Sequence, residues 1–166
     1  MKNKVFYSIA LTISVFFFLG CDEENHIDDP GNLVPKTVDQ DLSLASISVN
    51  GTQLHSEVFG NPNNPILVFL HGGPGSDYRS SLNAKQLTDD GYYVVFYDQR
   101  GSGLSKRHDQ NSYSIQLVLD DLTEVIEHYR TSSSQKVFLF GHSWGAMLAT
   151  AYVNSYPTRI NGVILA

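Results

Sequence analysis

One serine in this sequence has the setting of an activated nucleophile. Ser143 is the centre of residues 141–145, GHSWG, which lie between an apolar run and a segment of helical character that begins near Ala146. A G-x-S-x-G turn between a strand and a helix holds its serine at strained backbone angles, and its glycines let neighbouring chain pass close by. The positive end of such a helix favours negative charge at the site. This pattern predicts acyl transfer with Ser143 as the nucleophile.

His142 is adjacent to this serine, but it is a poor candidate for the general base. A base must come within hydrogen-bond distance of the serine oxygen, and adjacent side chains in such a turn diverge. We expect His142 to pack beside the turn, and we expect a different histidine to activate Ser143.

A second motif is the glycine-rich segment at residues 71–75, HGGPG, which follows the apolar run at residues 66–70. Three glycines and a proline in five residues predict a rigid loop whose backbone N–H groups can approach a ligand closely. We expect His71 to hold this loop in place rather than to carry protons.

A third motif, DQRGSGLS, occupies residues 98–105 directly after Tyr97. Gly101 and Gly103 suggest a phosphate-binding loop, but the third glycine and the helix start of a dinucleotide fingerprint are missing. The segment is therefore predicted to be a shaped turn beside the site. Asp98 and Arg100 are expected to brace it through charge-assisted hydrogen bonds.

The elements that must position these motifs begin with a hairpin and continue with buried strands. Asn50-Gly51 favours a tight turn between two alternating segments, residues 44–49 and 53–59. Four later runs are uniformly apolar, which is typical of buried parallel strands. The runs are residues 65–70, 92–97, 136–140 and 162–165.

Two helices are predicted between these strands. Apolar residues recur at three- and four-residue spacing over residues 115–129, which indicates an amphipathic helix that Ser112 or Ser114 would cap. A second helix spans residues 146–156 and is stopped by Pro157. The acidic side chains expected to face away from the sheet are Asp120, Asp121, Glu124 and Glu127. Alternation of strands and helices predicts an α/β fold.

The first 21 residues have the pattern of an export signal. Lys2 and Lys4 precede an apolar run, residues 5–19, that is too short for a comfortable membrane span. Cys21, the only cysteine, lies where such a signal would be cut. The segment resembles a bacterial lipoprotein signal, whose cysteine is acylated and anchors the exported protein to the cell envelope. The acidic residues 22–24 resemble a signal for the cell surface.

Residues 22–41 are predicted to be a flexible acidic tether. They hold seven of the seventeen acidic residues and too few large apolar ones to offset the entropy of ordering. From residue 42 onward ten acidic residues face eight basic ones, whereas the whole chain has a net charge of −6. With no basic cluster to neutralise phosphates, nucleic-acid binding is not expected, and a small-molecule or short-peptide substrate is expected instead.

Together the motifs HGGPG, DQRGSG followed by a serine two residues later, and GHSWG closely resemble the prolyl iminopeptidase group of α/β-hydrolases. The resemblance covers residues 47–166. It implies acyl transfer to water with no metal or organic cofactor, and an oxyanion hole formed by the N–H groups of Gly73 and Trp144. Ala146 replaces a glycine usual in these peptidases. Related amidases, esterases and lipases share the motifs and stay as alternatives.

The same resemblance predicts that the triad is incomplete within this sequence. In this fold the order along the chain is Ser, acid, His, and no Asp, Glu or His follows Tyr156. We interpret residues 42–166 as the N-terminal part of an α/β-hydrolase domain, truncated after the strand that follows the nucleophile's helix and inactive alone. A non-catalytic surface-lipoprotein binding module is the alternative from another class. The residues expected to shape the loops are His71, Gly72, Pro74, Gly75, Asp98, Arg100, Gly101, Gly103, Gly141 and Gly145.

Lipidation at Cys21 is directly testable. Radiolabelled palmitate supplied to the native bacterial host should enter the wild-type protein, because the acyl chains would be carried by this residue. The Cys21→Ser variant should stay unlabelled, whereas the neighbouring control Ser14→Ala should label as the wild type does. Equal labelling of wild type and Cys21→Ser would contradict the prediction.

Overall fold

Six strands alternate with helical segments in residues 34–166, the part of the chain that the computed structural model describes. The export signal, Cys21 and most of the expected tether lie outside these residues. Two 3₁₀ segments, Tyr78–Thr88 and Gln110–Ser112, and two α-helices, α1 (Ile115–Tyr129) and α2 (Trp144–Ser155), connect the strands. The strands are β1 (Ser46–Val49), β2 (Thr52–Phe59), β3 (Ile66–Leu70), β4 (Tyr93–Tyr97), β5 (Val137–Gly141) and β6 (Gly162–Leu165).

The strands form one sheet in the order β1-β2-β4-β3-β5-β6. The first three strands in this order pair antiparallel, and β4, β3, β5 and β6 pair parallel. The β1–β2 turn has positive φ at both Asn50 (42°) and Gly51 (74°), as a two-residue hairpin requires. The predicted hairpin and the mostly parallel α/β sheet are confirmed. The carboxyl ends of β3, β4 and β5 meet at one edge, so the three motifs converge there.

The sheet is covered on both faces, which is why the central strands are uniformly apolar. Alternate residues of β3 point to opposite faces: Val68 packs with the residues buried beneath α1 and α2, whereas Phe69 packs with Phe96 and with Tyr78 of the long 3₁₀ segment. The ring centroids of Phe69 and Phe96 lie 4.8 Å apart. Two cores therefore hold β3 and β4 rigidly beneath the motif loops.

The ends of both α-helices lie within two residues of their predicted positions. The side chain of Ser114 accepts a hydrogen bond from the Leu117 N–H, so Ser114 rather than Ser112 caps α1. The second helix begins at Trp144, two residues earlier than expected. Within residues 34–166, no helix combines the length and the apolar character needed to cross a membrane.

The expectation that Asp121 faces away from the sheet is wrong. Its side chain is buried and forms a two-point ion pair with Arg100, at 2.8 Å to Nε and 2.7 Å to Nη2. The side-chain amide of Asn50 also donates to Asp121, and Arg100 donates to the Asn50 carbonyl. The sequence pattern of an amphipathic helix predicts that a carboxylate faces solvent. It gives no sign of a buried partner elsewhere in the chain, such as Arg100.

The predicted boundary of the tether at residue 41 is also wrong. Thr37 and Val38 are buried, and the Val38 N–H donates to the Leu104 carbonyl at 2.9 Å. The Thr37 carbonyl accepts from the N–H groups of Gln40 and Asp41, which closes a turn. One apolar side chain and a hydrogen-bonded turn suffice to dock this segment, although its composition resembles that of a disordered chain. The compact unit begins at Pro35.

Removal of the Asp121 charge should destabilise the fold strongly. Asp121→Asn leaves the buried Arg100 guanidinium without a counter-ion, which typically costs about 3–5 kcal/mol. Urea unfolding of the complete protein measures the change. The exposed Glu124→Gln on the same helix is the control and should stay within ~0.5 kcal/mol of wild type. Equal midpoints for the two variants would show that the pair contributes nothing.

Candidate active site

The Ser143 turn is built around a contact that only glycine permits. Ser143 has φ 53° and ψ −116°, a conformation that non-glycine residues rarely adopt, and its side chain is exposed. A Cβ on Gly145 would lie 1.9 Å from the Leu70 carbonyl oxygen, and one on Gly141 would lie 2.4 Å from the Gly145 oxygen. The end of β3 therefore packs directly against the first turn of α2, and Ser143 projects from the edge of the sheet.

Two hydrogen bonds hold this conformation from either side. The Ser143 N–H donates to the Ala166 carbonyl, just after β6, at 2.9 Å. The Gly145 N–H donates to the His142 carbonyl at 2.8 Å. The strained residue is therefore fixed by both β6 and its own turn.

The N–H groups of Gly73 and Trp144 both remain available for a ligand. Trp144 is the first residue of α2, where a helix has no internal acceptor for the N–H. Neither N–H donates to any acceptor within residues 34–166. A Cβ on Gly72 would lie 3.3 Å from Ser143 Cβ, so the loop before Gly73 packs directly against Ser143. The structure thus places both predicted oxyanion donors on segments that flank Ser143.

His71 has both ring nitrogens engaged in holding loops. Its side chain is buried; the Gln99 N–H donates to Nε2 at 2.9 Å, and Nδ1 lies 3.0 Å from the Gly72 carbonyl oxygen. Because Nε2 accepts, the ring proton of the neutral form is on Nδ1 and is donated to Gly72. His142 is exposed, and it forms no hydrogen bond with the Ser143 hydroxyl in the described part of the chain.

Asp98 and Arg100 brace the third loop separately, not as a pair. Asp98 accepts from the N–H groups of Tyr78 (3.1 Å) and Leu104 (2.8 Å), and its carboxylate fills the space that a Cβ on Gly103 would need. Burial raises the pKa of the Asp98 carboxyl, and these two N–H groups oppose that rise. Arg100 acts through Asp121 on α1 instead.

An apolar cavity of about 500 Å³ opens between these loops and the start of α1. Trp144 lines it, as do Pro74 and Gly75 of the HGGPG loop. Gly101 has φ 70° and lies so close to the Tyr113 ring that a Cβ there would overlap the hydroxyl. The remaining lining residues are Gln99, Arg100, Ser102, Ser114, Ile115 and Val118. Since Arg100 is neutralised by Asp121, the cavity suits an uncharged group.

Sequence reasoning missed one residue of this site, Gln99. Its buried side chain donates from Nε2 to the His71 carbonyl at 3.0 Å and accepts from the Trp144 indole N–H at 2.9 Å. Gly75 is tied to the same loop, because its N–H donates to Ser102 Oγ at 3.0 Å. The only sequence signal for Gln99 was its place between Asp98 and Arg100. Among the described residues no three His, Cys, Asp or Glu side chains gather as metal ligands.

Comparison with known proteins places this geometry in a family. The family model described as serine aminopeptidase, S33, matches residues 61–166. The chain belongs to this family of α/β-hydrolases. Its resemblance to prolyl iminopeptidases is confirmed: it is 36% identical over 114 residues to a proline iminopeptidase of Arabidopsis thaliana, covering 68% of this chain and 29% of that protein.

Other relatives in the family differ in name. The chain is 33% identical over 121 residues to epoxide hydrolase B of Mycobacterium tuberculosis, covering 71% of this chain and 33% of that protein. A solved proline iminopeptidase-related protein of Thermus thermophilus superposes with a TM-score of 0.63 at 28% identity, over 74% of this chain and 43% of that one. An epoxide hydrolase of Vigna radiata gives 0.64 at 28% identity, over 73% and 38%. The chain spans roughly a third of the length of the curated relatives named here.

The contact between β3 and α2 predicts intolerance of any side chain at Gly145. Gly145→Ala sets a methyl group against a backbone carbonyl, which no rotamer change relieves, so a loss of about 3 kcal/mol or more is expected. Thermal unfolding and soluble yield of the complete protein measure it. Gly162→Ala, whose Cβ would meet only the Phe138 side chain at 3.1 Å, is the milder control. Wild-type stability of Gly145→Ala would rule out the close contact.

Proposed function

We propose that the complete protein is a serine hydrolase that cleaves an N-terminal residue from peptides, as a prolyl iminopeptidase-like aminopeptidase. The observation that carries this proposal is the exposed Ser143 hydroxyl on a strained turn, flanked by the available N–H groups of Gly73 and Trp144. Family membership supports hydrolase chemistry in general, and the motif resemblance supports the peptidase.

The proposed reaction proceeds through an acyl-enzyme. Ser143 Oγ attacks the substrate carbonyl as its proton passes to a histidine, and the carbonyl electrons move onto oxygen. The N–H groups of Gly73 and Trp144 stabilise that oxyanion. Collapse expels the amine, which takes the proton, and water then hydrolyses the ester by the same steps. The histidine and its orienting acid are implied by the family resemblance, and no described residue occupies either position beside Ser143.

The identity of the nucleophile favours acyl transfer over the epoxide opening suggested by some relatives' names. A serine that opened an epoxide would form an ether, which has no carbonyl for water to attack, so the enzyme could not be regenerated. A serine ester has that carbonyl. Ser143 therefore fits an amide or ester substrate.

An amidase or esterase of the same fold is the second candidate. It is favoured by Ala146, which replaces the glycine usual in the peptidases, and the apolar cavity would accept an uncharged group of either substrate. Turnover of a proline arylamide and of a short ester by the complete protein separates the two. A higher kcat/KM for the arylamide would support the peptidase.

A non-catalytic binding module is the alternative of another class. Backbone strain of this kind costs on the order of 1–3 kcal/mol, and a passive binding surface gains nothing from it. Reaction of Ser143 with a fluorophosphonate probe would exclude this alternative, since the probe labels an activated serine.

We further propose that the enzyme is exported and anchored through a lipid on Cys21. The acidic segment ahead of Pro35 would connect this anchor to the folded domain. The basic start, the apolar run and the lone cysteine support this location. A substrate would then be met outside the cytoplasm, as a small molecule or short peptide.

Replacement of the nucleophile should abolish turnover without unfolding the protein. In the complete protein, Ser143→Ala should lose at least ~10³-fold in kcat and all fluorophosphonate labelling, because the attacking oxygen is gone. His142→Ala is the neighbouring control and should lose far less. Circular dichroism verifies the folds. Equal losses at the two positions would identify His142 as part of the chemistry and contradict our assignment.

A further inference from the structure

The side chain of Gln99 takes no part in the bond-making steps above, yet it joins the three loops of the site. It is 4% exposed. Its amide contacts the His71 carbonyl in the loop after β3 and the Trp144 indole at the start of α2, and Gln99 itself follows β4. One buried side chain thus connects loops that belong to three adjacent strands.

The amide can be placed in only one orientation. If Nε2 and Oε1 were exchanged, the oxygen would face the His71 carbonyl oxygen and the NH₂ group would face the indole N–H, so both bonds would be lost. The backbone N–H of Gln99 is also fixed, by its bond to His71 Nε2 at 2.9 Å. The side chain is therefore a spacer of defined length between two anchor points.

Each anchor point lies next to a proposed oxyanion donor. His71 begins the loop that carries Gly73, and the other anchor is the side chain of Trp144, whose own N–H is the second donor. We propose that Gln99 is a positioning residue that sets the separation and orientation of these two N–H groups. The inference rests on the proposed function, since it concerns the oxyanion hole of that mechanism.

The effect of such a residue falls on the transition state. Oxyanion donors act when they point at the oxygen of the tetrahedral state, at about 2.7–3.1 Å, and a displaced donor loses most of that stabilisation. Substrate binding in the ground state is shared among the eleven residues that line the apolar cavity, of which Gln99 is one. Loss of Gln99 should consequently lower kcat by a larger factor than it raises KM.

Gln99→Met in the complete protein tests this proposal, with Gln135→Met as a matched control. Gln135 is also buried, and its Nε2 donates to the carbonyls of Pro62 (2.8 Å) and Asn64 (2.6 Å), but it precedes β5 at the opposite edge of the sheet. Gln99→Met should lower kcat about 10- to 100-fold, below the ~10²–10³-fold cost of removing a whole donor. Gln135→Met should change stability and leave kcat within about twofold.

A milder variant and a spectroscopic signal keep the test informative if Gln99→Met folds poorly. Trp144→Phe removes the indole N–H and keeps the backbone N–H, so it should lower kcat modestly. Because both variants remove the same Gln99–Trp144 hydrogen bond, the double variant should lose less than the product of the single losses. The Trp144 indole proton, assigned by its absence in Trp144→Phe, should exchange with solvent faster in Gln99→Met.

The rate of fluorophosphonate labelling distinguishes failure of the proposed function from failure of the inference about Gln99. An unreactive wild-type Ser143 would overturn the proposed function, and the oxyanion role of Gln99 with it. A reactive wild type would leave the function standing, and then an unchanged labelling rate and kcat in Gln99→Met would overturn the inference alone. An equal fall in Gln135→Met would also overturn it, because the effect would be one of general stability.

Discussion

The approach of β3 to the first turn of α2 controls the geometry of the whole site. Gly145 lies where any Cβ would overlap the Leu70 carbonyl, so the helix starts directly against the end of the strand. The chain reaches that position only through the unusual backbone of Ser143. The same contact places the first N–H of α2 beside the HGGPG loop. The strained backbone of Ser143 and the position of the Trp144 N–H thus have the same steric cause.

The loops around this contact are rigid because buried polar groups satisfy one another. His71 holds its own loop and the one after β4, and Asp98 ties that second loop to the 3₁₀ segment. Arg100 extends the connection to α1 through Asp121. A buried ion pair contributes little net stability when complete, but it is costly to break. Here the pair fixes the loop after β4, several residues of which line the apolar cavity.

Local sequence patterns predicted the six strands, the two α-helices and the Ser143 turn, but neither of the two 3₁₀ segments. These features follow from apolar periodicity and glycine spacing, which depend on neighbours along the chain. Asp121, Val38 and Gln99 were misread or missed because each is defined by a partner distant in sequence. A polar residue in a helix, a lone valine in an acidic segment and a glutamine between two charges give no local sign of those partners.

The bond from the Ser143 N–H to the Ala166 carbonyl bears on when, during folding, the backbone strain at Ser143 can arise. The strained backbone of Ser143 is held by two contacts. One is with Leu70, over seventy residues earlier in the chain, and the other is with Ala166, just after β6. A contact that spans more than seventy residues forms slowly, because the long loop between its ends must close first. Until these contacts form, Ser143 has the backbone freedom of an ordinary serine. The backbone strain at Ser143 is therefore a property of the assembled sheet and is absent from the unfolded chain.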